Sequence, residues 1–330
     1  MLCLGLESTA HTFGCSVVDS SGRVLSDARD VYKAPEGSGI HPRDASRHHI
    51  EVSSEVLREA LDSAAVSMQD IDIIGYSAGP GLGPCLRVGA VVSRALAGFY
   101  HKPLVPVNHA LGHVELGMML THSRDPLVLL VSGGHCMILA YSDGRWRVFG
   151  ETLDITVGQL LDQFGRGLGF ASPCGSRIEE LAVKSSGKYL QLPYAVKGND
   201  VSFSGLLTAA LRLASDGNDI AAVCYSLQET AFAMLAEATE RALSFTEKKE
   251  MMIVGGVAAN KRLARMLEVA SERHGATLGV CPIKFAGDNG AQISWTALQE
   301  YQATGKGVRI EKSDVRQSWR LDSIAVKWRP

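Results

Sequence analysis

The sequence predicts a two-lobed α/β protein in which one architectural unit is used twice around a cleft. Three observations carry this. A length of 330 residues is enough for two lobes, and 46% apolar residues with 34 glycines suit a soluble α/β enzyme rather than a fibrous or disordered chain. A strand pair followed by strand, glycine-rich loop, helix, strand and helix occurs in the first half and again in the second. Gly22-Arg23 and Gly144-Arg145 fall at the same place in the two units.

In the first unit, apolar runs predict strands over 2–7 and 13–18, joined by a polar turn over 8–12. A turn at 20–22 leads into a third strand over 23–25, and residues 32–49 form a polar excursion. An apolar strand over 71–75 runs toward Gly79-Pro-Gly-Leu-Gly-Pro84, followed by a helix over 87–100, a strand over 104–107 and a helix over 108–120. The second unit repeats this. It has strands over 127–131 and 136–141 around a turn at 132–135, then a turn at 142–144 and a strand over 145–149. An amphipathic segment over 154–169 follows, and the compact turn Val201-Ser-Phe-Ser-Gly205 opens a helix over 206–213. The unit ends with a strand over 251–254, a glycine loop over 255–260, a helix over 261–273, a strand over 277–280 and a final helix over 287–300. Lobe I is expected at 1–126, with 297–330 returning to it, and lobe II at 127–296. Parallel strands place their ligand-binding loops beyond their carboxyl ends, so the loops of both lobes are expected to converge on the cleft.

The formal net charge of −2 excludes a general polyanion binder, so contact with nucleic acid needs a local patch or a partner. Residues 306–330, with seven Lys/Arg against three acidic residues, are either such a patch or a solvated surface helix and tail. Seven scattered cysteines without a C-x-x-C pair point to a reducing, cytoplasmic setting rather than a disulfide framework. The first residues lack the pattern of a secretory leader, and no apolar run approaches the roughly 20 residues that span a bilayer.

The strongest metal signal is Asn108-His-Ala-Leu-Gly-His113. His109 and His113 are four apart, so on a helix both rings leave one face and can share an ion. Ala110 and Leu111 stand where a zinc protease carries its glutamate base. Asp288 is the third candidate ligand, because it opens the helix that corresponds by repeat to the histidine helix; the other reading makes it that helix's cap. Two histidines and one carboxylate suit iron or zinc. Glycine turns at Val131-Ser132-Gly133-Gly134 and Gly255-Gly256 follow apolar strands and allow close approach to phosphate or a base. Asn260 either reads a nucleobase or caps its helix. Asp162 and Glu179 are suited to a ribose diol or to solvated surface.

These motifs resemble the tRNA N6-adenosine threonylcarbamoyltransferase family in its archaeal and eukaryotic branch, the catalytic subunit of the KEOPS complex, related to bacterial TsaD. The ordered matches run from Gly5-Leu-Glu-Ser-Thr-Ala-His-Thr12 through the His109/His113 helix, Val131 to His135, Ser202 to Gly205 and Gly255 to Asn260, and end at Asp288-Asn-Gly290. The resemblance implies an actin-like, sugar-kinase-like ATPase fold that transfers threonylcarbamoyl from its adenylate to tRNA, with one divalent metal ion and an adenine nucleotide moiety. It assigns His109, His113 and Asp288 to the metal. Thr9, His11 and Thr12 form the first phosphate turn and Val131, Ser132, Gly133 and Gly134 the second. Asp162, Gly175 and Glu179 fall to the ribose, and Gly255, Gly256 and Asn260 to the adenine side. Leu130 stands where the branch commonly has a tyrosine that approaches the metal, and Gly287 where arginine is frequent. Implied partners are tRNA, a kinase-like ATPase subunit and a small dimerising subunit, with no membrane. Rival readings are a phosphotransferase of the sugar-kinase type, a zinc endopeptidase and a non-catalytic nucleotide-binding scaffold.

Overall fold

The computed structural model describes residues 1–35 and 37–329. In chain order the first half contains β1 (Leu2–Glu7), β2 (Thr12–Asp19), β3 (Val24–Val31), α1 (Pro42–Ala64), β4 (Ile73–Gly79), α2 (Gly83–Tyr100), β5 (Leu104–Asn108) and α3 (His109–Thr121). Next come β6 (Leu127–Val131), β7 (Cys136–Ser142), β8 (Arg145–Glu151), α4 (Val157–Gly167), α5 (Gly175–Lys184), the short pair β9 (Val196–Lys197) and β10 (Asp200–Val201), α6 (Ser204–Ser215) and α7 (Ile220–Thr246). The chain closes with β11 (Glu250–Val254), α8 (Lys261–Arg273), β12 (Thr277–Val280), α9 (Ile283–Ala286) and α10 (Gly290–Thr304).

The duplication is a property of the fold. Two five-stranded sheets run in the orders β3-β2-β1-β4-β5 and β8-β7-β6-β11-β12, which superpose strand for strand when the second half is read as a repeat of the first. In each, the first three strands of the unit are antiparallel and the next two parallel. The central strands are buried on both faces, which is why they read as unbroken apolar runs. All seven cysteines are free and buried in this framework. Among the described residues, no helix is long and apolar enough to cross a membrane.

The helices α3 and α10, equivalent in the two units, pack against each other between the sheets. Helix α10 lies on the first sheet, against β1, β2, β4 and β5, while α3 reaches β6 and β11 of the second. The approach of α10 to β1 is close enough to exclude side chains. A Cβ on Gly5 would meet the Ser294 N at 2.3 Å, and one on Gly290 would meet the Ser16 N at 2.5 Å.

Two regions differ from expectation. Helix α7 spans 27 residues and is buried around most of its circumference in the core of the second lobe. Its polar stripe is narrow, carried chiefly by Glu229, Glu237, Glu240 and Arg241, so the contrast that marks a surface helix is weak. Its Ser226, Thr230 and Thr239 hydroxyls donate back to carbonyls one turn earlier, at 2.7 Å each, so they are tolerated inside. The C-terminal stretch is no surface helix. It contains only short 3₁₀ turns at Ile310–Lys312 and Leu321–Ser323 and lies as an extended strap with Leu321 and Val326 buried.

Candidate functional site

His109 begins α3 directly after β5, where Asn108 caps the helix by accepting from the Leu111 N–H at 3.0 Å. His113 follows one turn on, its ring centroid 4.7 Å from that of His109. Asp288 stands two residues before α10. The cap of that helix is Asn289, which accepts from the Gln292 N–H at 2.9 Å, so the Asp288 carboxylate is free of capping duty. Its Oδ1 lies 3.5 Å from His109 Nε2 and 3.3 Å from His113 Nε2. The packing of α3 on α10 thus gathers three donor atoms within 4.8 Å of one another, as the repeat argument expected.

The second layer fits a cation. Glu7, fully buried at the end of β1, places Oε2 2.9 Å from His109 Nδ1, and a carboxylate oxygen there takes the acceptor role, which turns Nε2 toward Asp288. The other Glu7 oxygen accepts from the Thr9 N–H at 2.6 Å and the Thr9 hydroxyl at 2.5 Å. The Gln292 side-chain amide stands 3.0 Å from the same His109 nitrogen. Burial disfavours a charged His109 ring, but the Glu7 and Asp288 carboxylates outweigh it and push its pKa up to about 9. Burial pushes His113 down. Asp288 is held well below the usual carboxylate range, against its burial, chiefly by His109. Two imidazoles and a carboxylate gathered this closely could hold a divalent transition metal ion.

The first turn is one residue shorter than expected. Thr12 is the first residue of β2, pairs with Val31 and is buried. Thr9 is engaged with Glu7. His11, at the turn, lies near both Asp162 and Asp288.

In the second turn the Ser132 hydroxyl accepts from the Gly134 and His135 N–H groups at 3.2 and 3.0 Å. Gly133 and Gly134 face open space, while the Gly133 carbonyl accepts from the Thr156 hydroxyl at 3.0 Å at the start of α4. The side chains of Leu130 and Val131 point into the core and are fully buried, Leu130 against Leu111 and Val114 of α3. What Leu130 and Val131 offer toward the turn is therefore their backbone.

Asp162 and Glu179 lie on α4 and α5, which pack together, with Gly175 opening α5. Asp162 accepts from the Cys174 N–H at 2.7 Å, and burial pushes its carboxyl up. Glu179 accepts from the Lys261 N–H at 2.9 Å. Gly255 packs on the Val131 carbonyl, and Gly256 opens a single 3₁₀ turn facing open space. The Asn260 side chain is spent on its own helix. Its oxygen accepts from the Arg262 and Leu263 N–H groups at 2.9 and 3.2 Å, and its amide donates to Gln228 at 2.9 Å.

Sequence reasoning missed Glu7, Gln292 and His135. A carboxylate ending an otherwise apolar strand was the available signal for Glu7. His135 is buried, stacks on His109 with centroids 5.9 Å apart, and its Nδ1 has no partner among the described residues. Burial pushes its pKa down to about 3. It ties the second turn to the metal cluster.

Two sheets of identical order with a ligand cluster between them define an actin-like, sugar-kinase-type α/β protein. Two solved structures share this fold. HypF from T. kodakarensis matches 92% of this chain and 48% of its own, with a TM-score of 0.65 and 15% identity. Component A of (R)-2-hydroxyglutaryl-CoA dehydratase from Acidaminococcus fermentans matches 92% and 99%, with a TM-score of 0.56 and 14% identity. The family model for tRNA N6-adenosine threonylcarbamoyltransferase (TsaD) matches residues 23–295. Enzymes of that name from Caldivirga maquilingensis and Hyperthermus butylicus are each 50% identical, the first over 99% of this chain and 98% of its own length, the second over 99% and 91%. A probable bifunctional tRNA threonylcarbamoyladenosine biosynthesis protein from Methanothermobacter thermautotrophicus is 47% identical over 99% of this chain and 61% of its own. The chain belongs to the tRNA N6-adenosine threonylcarbamoyltransferase family and is a transferase; nothing among these relatives favours the sugar-kinase alternative.

Proposed function

We propose that this chain moves a threonylcarbamoyl group from threonylcarbamoyl-adenylate to the N6 amine of the tRNA adenosine 3′ of the anticodon. The observation that carries this reading is the convergence of His109, His113 and Asp288 beside the open 132–135 turn, in a chain of this family. The amine attacks the carbamoyl carbon, the bond from that carbon to the phosphate oxygen breaks, AMP leaves, and the amine gives up a proton. Because the mixed anhydride is already activated, positioning and exclusion of water dominate the demand on the protein.

His109, His113 and Asp288 would hold the ion, with Glu7 fixing the His109 ring. When bound, a divalent iron or zinc ion supplies positive charge that orients the donor and offsets charge developing on it. The open backbone of Gly133 and Gly134, with Ser132, and the Thr9 to His11 turn would face the phosphate. Asp162, Gly175 and Glu179 would meet the ribose, since Asp162 Oδ2 and Glu179 Oε2 have no partner among the described residues. Gly255, Gly256 and the backbone near Asn260 would border the adenine. The near-neutral net charge suits a cytoplasmic subunit that borrows tRNA affinity from a kinase-like ATPase and a small dimerising subunit, as in the KEOPS complex. Lobe I would comprise 1–126 with 297–330, and lobe II 127–296. The packing of α10 on the first sheet supports the return.

The test combines the purified chain with partner subunits, threonylcarbamoyl-adenylate and unmodified tRNA, followed by mass spectrometry of the nucleosides. Threonylcarbamoyladenosine is expected. Its absence, with partners proven active beside a known family member, would overturn the reading.

A further inference from the structure

The strap formed by residues 316–329 touches both sheets. The Arg316 N–H donates to the Ala78 carbonyl of β4 at 2.6 Å, and the Val326 N–H donates to the Gly144 carbonyl of the β7–β8 turn at 2.8 Å. Along its length it also reaches the cap of α3 and the middle of that helix. Asn108, the cap residue directly before His109, donates through its side-chain amide to the Trp319 carbonyl at 2.9 Å. Glu115, two residues beyond His113, accepts from the Trp328 indole N–H at 3.0 Å and, through its other oxygen, from the Trp146 indole N–H at 3.3 Å. Arg329 lies over the Tyr141 and Trp146 rings at 4.6 and 5.2 Å and donates to the Arg124 carbonyl just beyond α3.

Glu115 has no part in the chemistry assigned above, yet it is an almost fully buried carboxylate on the helix that carries both histidines. Two residues along a helix rotate by about 200°, so Glu115 faces away from His113 and the strap grips α3 from behind. A buried carboxylate is kept only where donors satisfy it. Here one donor comes from β8 and the other from the strap, and the same strap takes the amide of the helix cap. The metal-bearing stretch of α3 is therefore bracketed by two polar contacts from one segment.

We propose that residues 316–329 act as a positioning element for the metal centre, holding α3 through Asn108 and Glu115 so that His109 and His113 meet Asp288 at a separation one ion can bridge. This rests on the metal assignment and not on the identity of the acyl donor. Trp328 and Glu115 act through α3, and neither touches the ion.

The test titrates the metal-free full chain with Co2+, reading affinity by equilibrium dialysis and coordination geometry by visible absorption. Trp328→Phe keeps the ring and removes the N–H, while Glu115→Gln keeps the shape and removes the charge. Each is expected to raise the Co2+ dissociation constant by roughly tenfold, the lower end for outer-layer partners of metal ligands, and to alter the absorption envelope. The double variant is expected to be no worse than the poorer single one, since both cut the same link. Should Glu115→Gln not fold, Trp328→Phe carries the test alone. A folded Trp328→Phe chain with wild-type Co2+ affinity and spectrum, even with a lower Tm, would overturn the proposal and leave the strap a mere staple. A wild-type chain that binds no Co2+ would overturn the metal assignment and this inference with it.

Discussion

Gly290→Ala should injure the metal centre without touching a ligand. The new Cβ would sit 2.5 Å from the Ser16 N, 2.7 Å from the Cys15 carbonyl carbon and 2.8 Å from the Gly5 carbonyl oxygen. All are backbone atoms of β1 and β2, and none can swing aside. Ordinary contact begins at 3.4 Å, so the first turn of α10 must withdraw by about 0.9 Å (3.4 − 2.5) or the strands must part. Asp288 precedes this residue by two and would move with it, whereas metal–ligand distances tolerate only about 0.2 Å. Overpacking of this kind costs about 1–3 kcal/mol. At about 2–4 °C per kcal/mol for chains somewhat shorter than this one, Tm should fall by several degrees. The assay is a thermal melt of the metal-free chain beside Zn2+ equilibrium dialysis. A matched control is Gly287→Ala, one residue before Asp288, where an added Cβ meets nothing within 4 Å. We expect Zn2+ affinity to drop at least tenfold in the first variant and to stay within about twofold in the second. Wild-type affinity in Gly290→Ala would refute the claim that the α10–β1 contact sets the position of Asp288.

His109→Ala should abolish Zn2+ binding and transfer, and it also strands Glu7, which keeps only Thr9 as a partner. The cost should be about 3–5 kcal/mol in denaturant melts, partly recovered in Glu7→Gln/His109→Ala; a melt equal to wild type would show that Glu7 finds another partner. His49 is fully buried against Phe13, and burial, with lesser help from His48 and His11, pushes its pKa from 6.5 down to about 4. The unfolded chain therefore binds the extra proton, so stability is full above pH 6.5 and falls by up to about 3 kcal/mol as the pH drops toward 4. His49→Leu should flatten that part of the pH–stability curve, and an unchanged slope would refute the assignment. Asn260→Ser keeps a helix cap and should leave the KM for the adenylate donor unchanged; a tenfold rise would return the side chain to the adenine site.

Much of this architecture was legible because the duplication wrote it twice. Strands such as β6 and β12 and the helix α8 match their expected bounds, since apolar runs flanked by turn residues leave little latitude. The meeting of His109, His113 and Asp288 was legible from one helix period and from the equivalence of α3 and α10. Residues whose fate depends on neighbours distant in sequence were not. Helix α7 is mostly apolar, with only a narrow polar stripe, so little periodic contrast marked it. The strap has no periodicity because its partners, not its own sequence, dictate its course. Leu130 and Asn260 carry motif positions, but an inward strand face and a helix terminus claim their side chains first.

Helices α3 and α10 each lie against the sheet of the other half, so the three candidate ligands are divided two to one across the seam of the duplication. A chain severed between Thr121 and Leu127 would carry both histidines on one fragment and Asp288 on the other. Neither fragment would then own a metal site, and the ion would become a measure of their reunion, stabilising the joined form in proportion to the logarithm of its concentration. In the intact chain an ion held by all three would tie a helix packed on the second sheet to the start of one packed on the first.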